Sequence, residues 1–164
     1  MALILRGNGV VEGLTDLPNN VITNADLPAG NILQVVQAQI ATTQSTTSTS
    51  NVASGLQASI TPSSTSSKIL IMLNGGNAWQ NTNNSNMLMY FYRNGSVVET
   101  GPHAIIQNTS GTNSFKSSWS ACYLDSPSTT SSITYEPYYK VNSGTGYFNE
   151  ATLRVMLTLM EIAA

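Results

Sequence analysis

Apart from its many serines, this sequence of 164 residues offers little that can run chemistry: one histidine, one cysteine and eight carboxylates. A Ser-His-Asp relay would need His103 as base, Asp125 as the acid that orients it, and one of the serines as nucleophile. The strained Gly-x-Ser-x-Gly turn that exposes such a serine is absent. His103 is read as an exposed loop histidine. Cys122 beside His103 would form a thiol–imidazole pair, but Cys122 falls in an alternating run and reads as a small packed side chain. The acids Glu12, Asp16, Asp26, Glu99, Asp125, Glu136, Glu150 and Glu161 are scattered. Glycoside hydrolysis takes two carboxylates across one cleft, and no spacing brings Glu136 and Glu150 together. There is no Asp-x-Asp calcium loop. Asp16, Asp26 and Asp125 lie at turns, where Asp accepts neighbouring backbone N–H groups. One His and one Cys exclude a zinc finger and a disulfide framework. The expectation is a protein that is not an enzyme, with no catalytic residue, no metal and no cofactor.

Binding chemistry has one candidate. The polar stretch Gly75–Asn86 holds Trp79, Gln80, Asn81 and Asn83, the ingredients of a glycan or host contact. An aromatic face stacks on sugar C–H groups, and amides bond hydroxyls. Tyr138, Tyr139, Tyr147 and Phe148 form a second aromatic group. The competing and preferred reading packs these rings inside the fold or against a neighbouring subunit. Asn83, Asn94 and Asn108 begin Asn-x-Ser sequons, which chance supplies at this Asn and Ser content. Six Lys and Arg cannot line a long phosphate-binding groove, so nucleic acid is excluded as a partner. No apolar run approaches ~18 residues, so no membrane span is expected.

These residues must be positioned by a chain poor in charge. Charged residues make up 9%, against a usual ~25%. Net charge is −2 and the pI about 5.1. Ser and Thr supply about 40 residues and Asn about 17, a bias to small uncharged polar groups. With 41% apolar residues the chain still has a core to bury, unlike a disordered tail. Met1-Ala2-Leu3-Ile4-Leu5 stops at Arg6, too short for the apolar core of a secretion signal. Cytoplasmic synthesis is therefore expected.

Residues 1–30 are short apolar pairs broken by turn formers. They read as an extended arm whose Leu3, Leu5, Val10, Val11, Leu14, Leu17, Val21 and Ile22 need another surface, on a neighbouring subunit or another protein. From residue 31 to 164 the pattern has period two. Val36, Ala38 and Ile40 alternate with glutamines, as do Leu56, Ala58 and Ile60 with polar residues. Thr42–Ser50 has no apolar face and reads as an exposed edge strand or loop. Ile69–Leu73 is continuous and reads as central, buried on both faces. Arg93-Asn94-Gly95 predicts a type I′ hairpin. Ile133 to Tyr139 is a strand whose Pro137 predicts a sheet edge. Leu153, Val155, Leu157 and Leu159 mark the last strand. About eight strands at short spacing, with no 3.6-residue period, predict an all-β antiparallel sandwich, jelly-roll-like.

One segment also carries a resemblance. Leu56-Gln57-Ala58-Ser59-Ile60-Thr61-Pro62-Ser63-Ser64-Thr65-Ser66-Ser67-Lys68-Ile69-Leu70-Ile71 resembles a stretch common in small β-rich structural proteins of tailed bacteriophages, notably those of cyanobacteria and other aquatic hosts. Ile32-Leu33-Gln34-Val35-Val36-Gln37 is similar to the first strand of those domains. Leu124-Asp125-Ser126-Pro127 and Leu157-Thr158-Leu159-Met160-Glu161-Ile162 match their style. Together these span about residues 28 to 164. The resemblance implies a virion-surface protein made in the host cytoplasm, a fibre knob or decoration module, often a homotrimer and not an enzyme. Its partners would be a major capsid or tail protein and host surface glycan. Without a long shaft, a small capsid-attached protein or appendage is expected before a full tail fibre.

Overall fold

The computed structural model describes residues 28–109, 115–150 and 152–164, together with the backbone of Ile4–Leu5 and Val11–Glu12. Among the described residues there is no helix. In chain order the strands are β1 (Ile4–Leu5), β2 (Val11–Glu12), β3 (Ile32–Ile40), β4 (Gln44–Thr46), β5 (Val52–Ala53), β6 (Ala58–Ile60), β7 (Lys68–Gly75) and β8 (Ala78–Gln80). They continue as β9 (Ser85–Arg93), β10 (Ser96–Val97), β11 (His103–Asn108), β12 (Phe115–Ser117), β13 (Ser120–Asp125), β14 (Ile133–Val141), β15 (Gly146–Asn149) and β16 (Val155–Ile162).

Two sheets form a sandwich. One has the order β3-β16-β7-β13. In the other, β14 and β9 are central; β5 and β6 share one edge, and β10 and β11 share the other. If the split edges count as single strands, eight strands divide equally between the sheets. Numbered along the chain, they run 1-8-3-6 in the first sheet and 2-7-4-5 in the second. That double Greek key is a jelly roll, so the all-β expectation holds and the strand order is now explicit. Side-chain alternation sets the faces. Ile69, Ile71 and Leu73 of β7, Val155, Leu157 and Leu159 of β16, and Met87, Met89 and Phe91 of β9 are all fully buried. They meet Tyr135, Tyr139 and Val141 of β14 in one core.

The Asn94–Gly95 turn is as expected. φ is +48° at Asn94 and +80° at Gly95, and Arg93 pairs with Ser96 across a two-residue loop. Two strand readings need correction. Pro137 is not on an edge, because β14 lies between β9 and β5/β6. Its carbonyl accepts the Ser54 N–H, so its missing donor faces the gap between β5 and β6, where no ladder partner is left short. The run Ile69–Leu73 is central but buried on one face only: Leu70 and Met72 point outward and are half-buried.

The four connections at one end of the roll do not stay irregular. Each lends a strand to a small third sheet of order β12-β8-β15-β4. Here the expected polar loop Gly75–Asn86 contains a strand, with Trp79 at its centre. Gln44–Thr46, inside the Thr42–Ser50 stretch, is this sheet's edge. Phe148 of β15 ties the sheet to the core, stacking on Tyr139 and meeting Trp119 edge-on, both at 5.2 Å between ring centres. Of the arm, β1 and β2 form an antiparallel ladder with Leu5 opposite Val11. Leu3, Val10, Leu14, Leu17, Val21 and Ile22 lie outside the described residues.

Candidate functional site

The loop-built sheet is the part of the molecule best equipped to meet a ligand. Its backbone ladder places Lys116 beside Trp79, Trp79 beside Tyr147 and Tyr147 beside Ser45. These four side chains make one outward row across all four strands. The Trp79 and Tyr147 rings stack at 4.1 Å with a 19° interplanar angle. The Lys116 Nζ lies 4.9 Å from the Trp79 ring centre and donates to Glu150 at 2.7 Å. Hydrogen bonds from Asn77 and Lys116 hold the Glu150 carboxyl below the usual carboxylate range.

Sequence reasoning singled out Trp79, Gln80, Asn81 and Asn83, and the structure separates them. Trp79 is half-buried, flanked by Tyr147 on one side and Lys116 on the other. Gln80 points inward with no exposed surface. Its Nε2 donates to the Ser143 carbonyl, which the Ser85 hydroxyl also reaches, so Gln80 cannot be a surface contact. Asn81 Oδ1 accepts the Thr145 N–H and the Thr82 hydroxyl. Asn83 Oδ1 accepts the Asn84 N–H. These amides knit the loops together, because short connections must satisfy their own backbone groups. Gly144 belongs to the same packing. Its φ is +69°, and a Cβ there would overlap the Thr82 hydroxyl. The missed residues are Lys116 and Ser45, whose three-residue strands carry no apolar alternation to reveal them. The second aromatic group is divided by alternation: Tyr138 and Tyr147 face outward, Tyr139 and Phe148 inward.

The catalytic candidates are engaged elsewhere. His103 is not a loop residue. It lies on β11, half-buried, with Nε2 2.8 Å from Glu99, whose other oxygen accepts the Phe91 N–H. Cys122 is exposed on the outward face of β13 and is not packed. With His103, Met72, Asn74, Ser120 and Ala121 it lines a shallow cavity of about 370 Å³. Asp125 does not serve a turn. It is buried and accepts the Arg93 guanidinium and the Tyr135 hydroxyl, each at 2.5 Å, joining the two sheets. Burial, then the bond and charge of Asp125, push the Tyr135 phenol far above its ordinary range. Among the described residues, no three His, Cys, Asp or Glu gather as metal ligands.

A second buried carboxylate lies at the same end as Asp125. Glu161 of β16 is fully buried. One of its oxygens accepts both the N–H and the hydroxyl of Ser63 at 2.7 Å. The other accepts the Gln34 amide. Burial alone would raise its pKa, but bonds from Ser63, Gln34 and Ser67 together hold it below the usual carboxylate range. Gln34, Glu161, Ile69 and Asp125 form a single inward row across the first sheet.

No protein-family model matches the chain, and no curated protein matches it. Among solved structures it is similar to a point mutant of the VP2 protein of infectious bursal disease virus, in derived T=1 particles. That likeness has 12% identity and a TM-score of 0.43, and covers 79% of this chain and 36% of the other. The chain therefore spans about a third of that protein's length.

Proposed function

We propose that this chain is a structural protein of a tailed-phage virion, a small decoration or short-fibre component that works by assembly and not by catalysis. The observation that carries the reading is the Glu161 cluster. Gln34, Ser63, Ser67 and Glu161 come from three of the four segments that carry the phage resemblance, and they bond one another in the folded chain. The segments that carry the resemblance thus meet around one buried carboxylate in this chain. A jelly roll with few titrating groups also suits a particle exposed to changing pH, since stability varies with pH only where groups titrate differently on folding. The protein is made in the host cytoplasm. It docks on a capsid or tail protein through the end where the chain enters β3, and turns the loop-built sheet outward.

Mass spectrometry of purified particles tests this. Peptides of the chain at the copy number of a structural protein are expected; their absence from the particles overturns the reading. The homotrimer implied by the resemblance should appear in light scattering at about three times 17.4 kDa, and a lasting monomer refutes it.

A second reading rests on the Lys116–Trp79–Tyr147 row, which offers ring edges, a cation and the Ser45 hydroxyl to solvent: a glycan contact on the host surface. A glycan array decides it. Binding lost in both Trp79→Ala and Tyr147→Ala supports the contact, and no binding by the intact protein removes it.

A further inference from the structure

The outward face of the second sheet is aromatic at its centre. The ladder sets Tyr138 beside Tyr90, Glu136 beside Tyr92, and Lys140 beside Leu88. Val97, 48% exposed, continues the Glu136 row on β10, and Ala104 continues the Lys140 row on β11. The Tyr92 and Tyr138 rings stack at 3.9 Å with a 17° interplanar angle. Asn51 Nδ2 donates to the Tyr92 hydroxyl at 3.0 Å. Rings held in this way lose little freedom on binding. A tyrosine cluster at the centre of a face is the composition of a protein contact.

Two charges flank this centre. On β9, β14 and the split edge strands, Glu136 and Lys140 are the only charged side chains that point outward. They stand on either side of Tyr138, each one outward position away. Neither forms an ion pair among the described residues. Glu136 Oε1 accepts the Gly55 N–H, and the Lys140 ammonium lies 5.8 Å from the Tyr90 ring centre. The pattern is self-complementary. A two-fold axis lying in the face along the Tyr138–Tyr90 row reverses the strand direction. It sets Glu136 of each copy against Lys140 of the other, and Tyr92 against Leu88. An axis along β14 instead sets Glu136 against Glu136 and Lys140 against Lys140, which like-charge repulsion opposes. Charge thus selects both a second copy as occupant and its orientation.

We infer that this face, centred on Tyr138, pairs with the same face of a second copy about a two-fold axis, Glu136 of each copy meeting Lys140 of the other. The two sheets then pack face to face in the aligned manner. The inference stands apart from the virion and glycan readings. Glu136 to Lys140 spans about 14 Å along the strand, and four strands span about 14 Å across. That core is small beside the ~800 Å² per partner of a stable interface, so pairing is weak and grows with concentration. Sedimentation equilibrium of the full chain over a concentration series tests it. The parent's mass should double as concentration rises, from one copy to two or, where a three-fold contact also holds, from three to six. Lys140→Glu and Glu136→Lys should each weaken the doubling at least about tenfold, because like charges then meet. The double variant should return to within about threefold of the parent. Within one chain the two side chains form no ion pair, so rescue reports the contact between copies. A parent that never doubles, single variants that pair as the parent does, or a double variant no better than the singles overturns the inference.

Discussion

The two ends of the jelly roll handle polar groups by opposite means, and the loop-built end leaves Asn77 Oδ1, Trp79 Nε1, Gln80 Oε1 and Asn149 Oδ1 buried without a partner among the described residues. At the end where the chain enters, charge is buried: Asp125 holds Arg93 and Tyr135, and Glu161 holds Ser63 and Gln34. At the other end, uncharged Gln80, Ser85, Asn81 and Asn149 bond loop backbone, and the charges of Lys116 and Glu150 stay outside. A buried ion must keep its partners or forfeit its solvation, so the charged end tolerates little change. Amide-stitched loops lose less per substitution, leaving their outward row free to vary with what it meets.

The largest break is expected at the charged end. Asp125→Ala strands the Arg93 guanidinium and the Tyr135 hydroxyl. Arg93 is partly exposed, so the loss in urea unfolding should be about 3 kcal/mol, the low edge for breaking a buried pair. Glu161→Ala leaves the Ser63 N–H without its acceptor and removes one of the two acceptors of the Gln34 amide, which keeps the Thr61 carbonyl, and should cost about 2–3 kcal/mol.

The same end sets the pH limits. The folded pKa of Glu161 is depressed, so its contribution is present above the ordinary value of 4.5 and is lost as pH falls through the folded pKa. Thermal melts should show an acid limb below that value that is weaker in Glu161→Gln. Tyr135 is raised, and burial lifts Tyr139 to about 12. Their contribution is present below the ordinary value of 10 and is lost as pH rises above it. Tyr135→Phe should flatten that alkaline limb.

Gly144→Ala sharpens the contrast, because it strikes the amide-stitched end through its backbone. The positive φ and the overlap with Thr82 should cost about 1–3 kcal/mol. Smallest is Trp79→Ala, which removes one partially exposed stack worth about 1 kcal/mol. Melting temperature should hardly move, so a lost glycan signal in that variant would report contact and not unfolding.

Much of the sandwich was legible because its strands bury one face: alternation at Val36–Ile40 and Val155–Leu159 and the Asn94–Gly95 turn each have a local cause. Leu153, read as part of the last strand's inward face, lies before β16 and is exposed. The loop-built sheet was not legible. Ala78–Gln80 and Phe115–Ser117 are three residues long, and it is pairing with distant backbone that makes them strands. Pro137 misled because a missing donor looks like an edge until the β5/β6 gap is seen. Glu161 left a readable sign: it continues the inward phase of Val155, Leu157 and Leu159, where an acid is tolerated only if bonded.

The central claim is a virion protein fixed at its charged end with the loop-built sheet facing out, and the lysines test it most directly. Lys68 lies at the charged end, paired with Ile162, and Lys116 lies on the outward row; both are exposed in the free chain. Amine labelling of intact particles, read by mass spectrometry against the free protein, should modify Lys116 equally in both and protect Lys68 only on the particle. Lys68 labelled and Lys116 protected, or no chain in the particles at all, would contradict it.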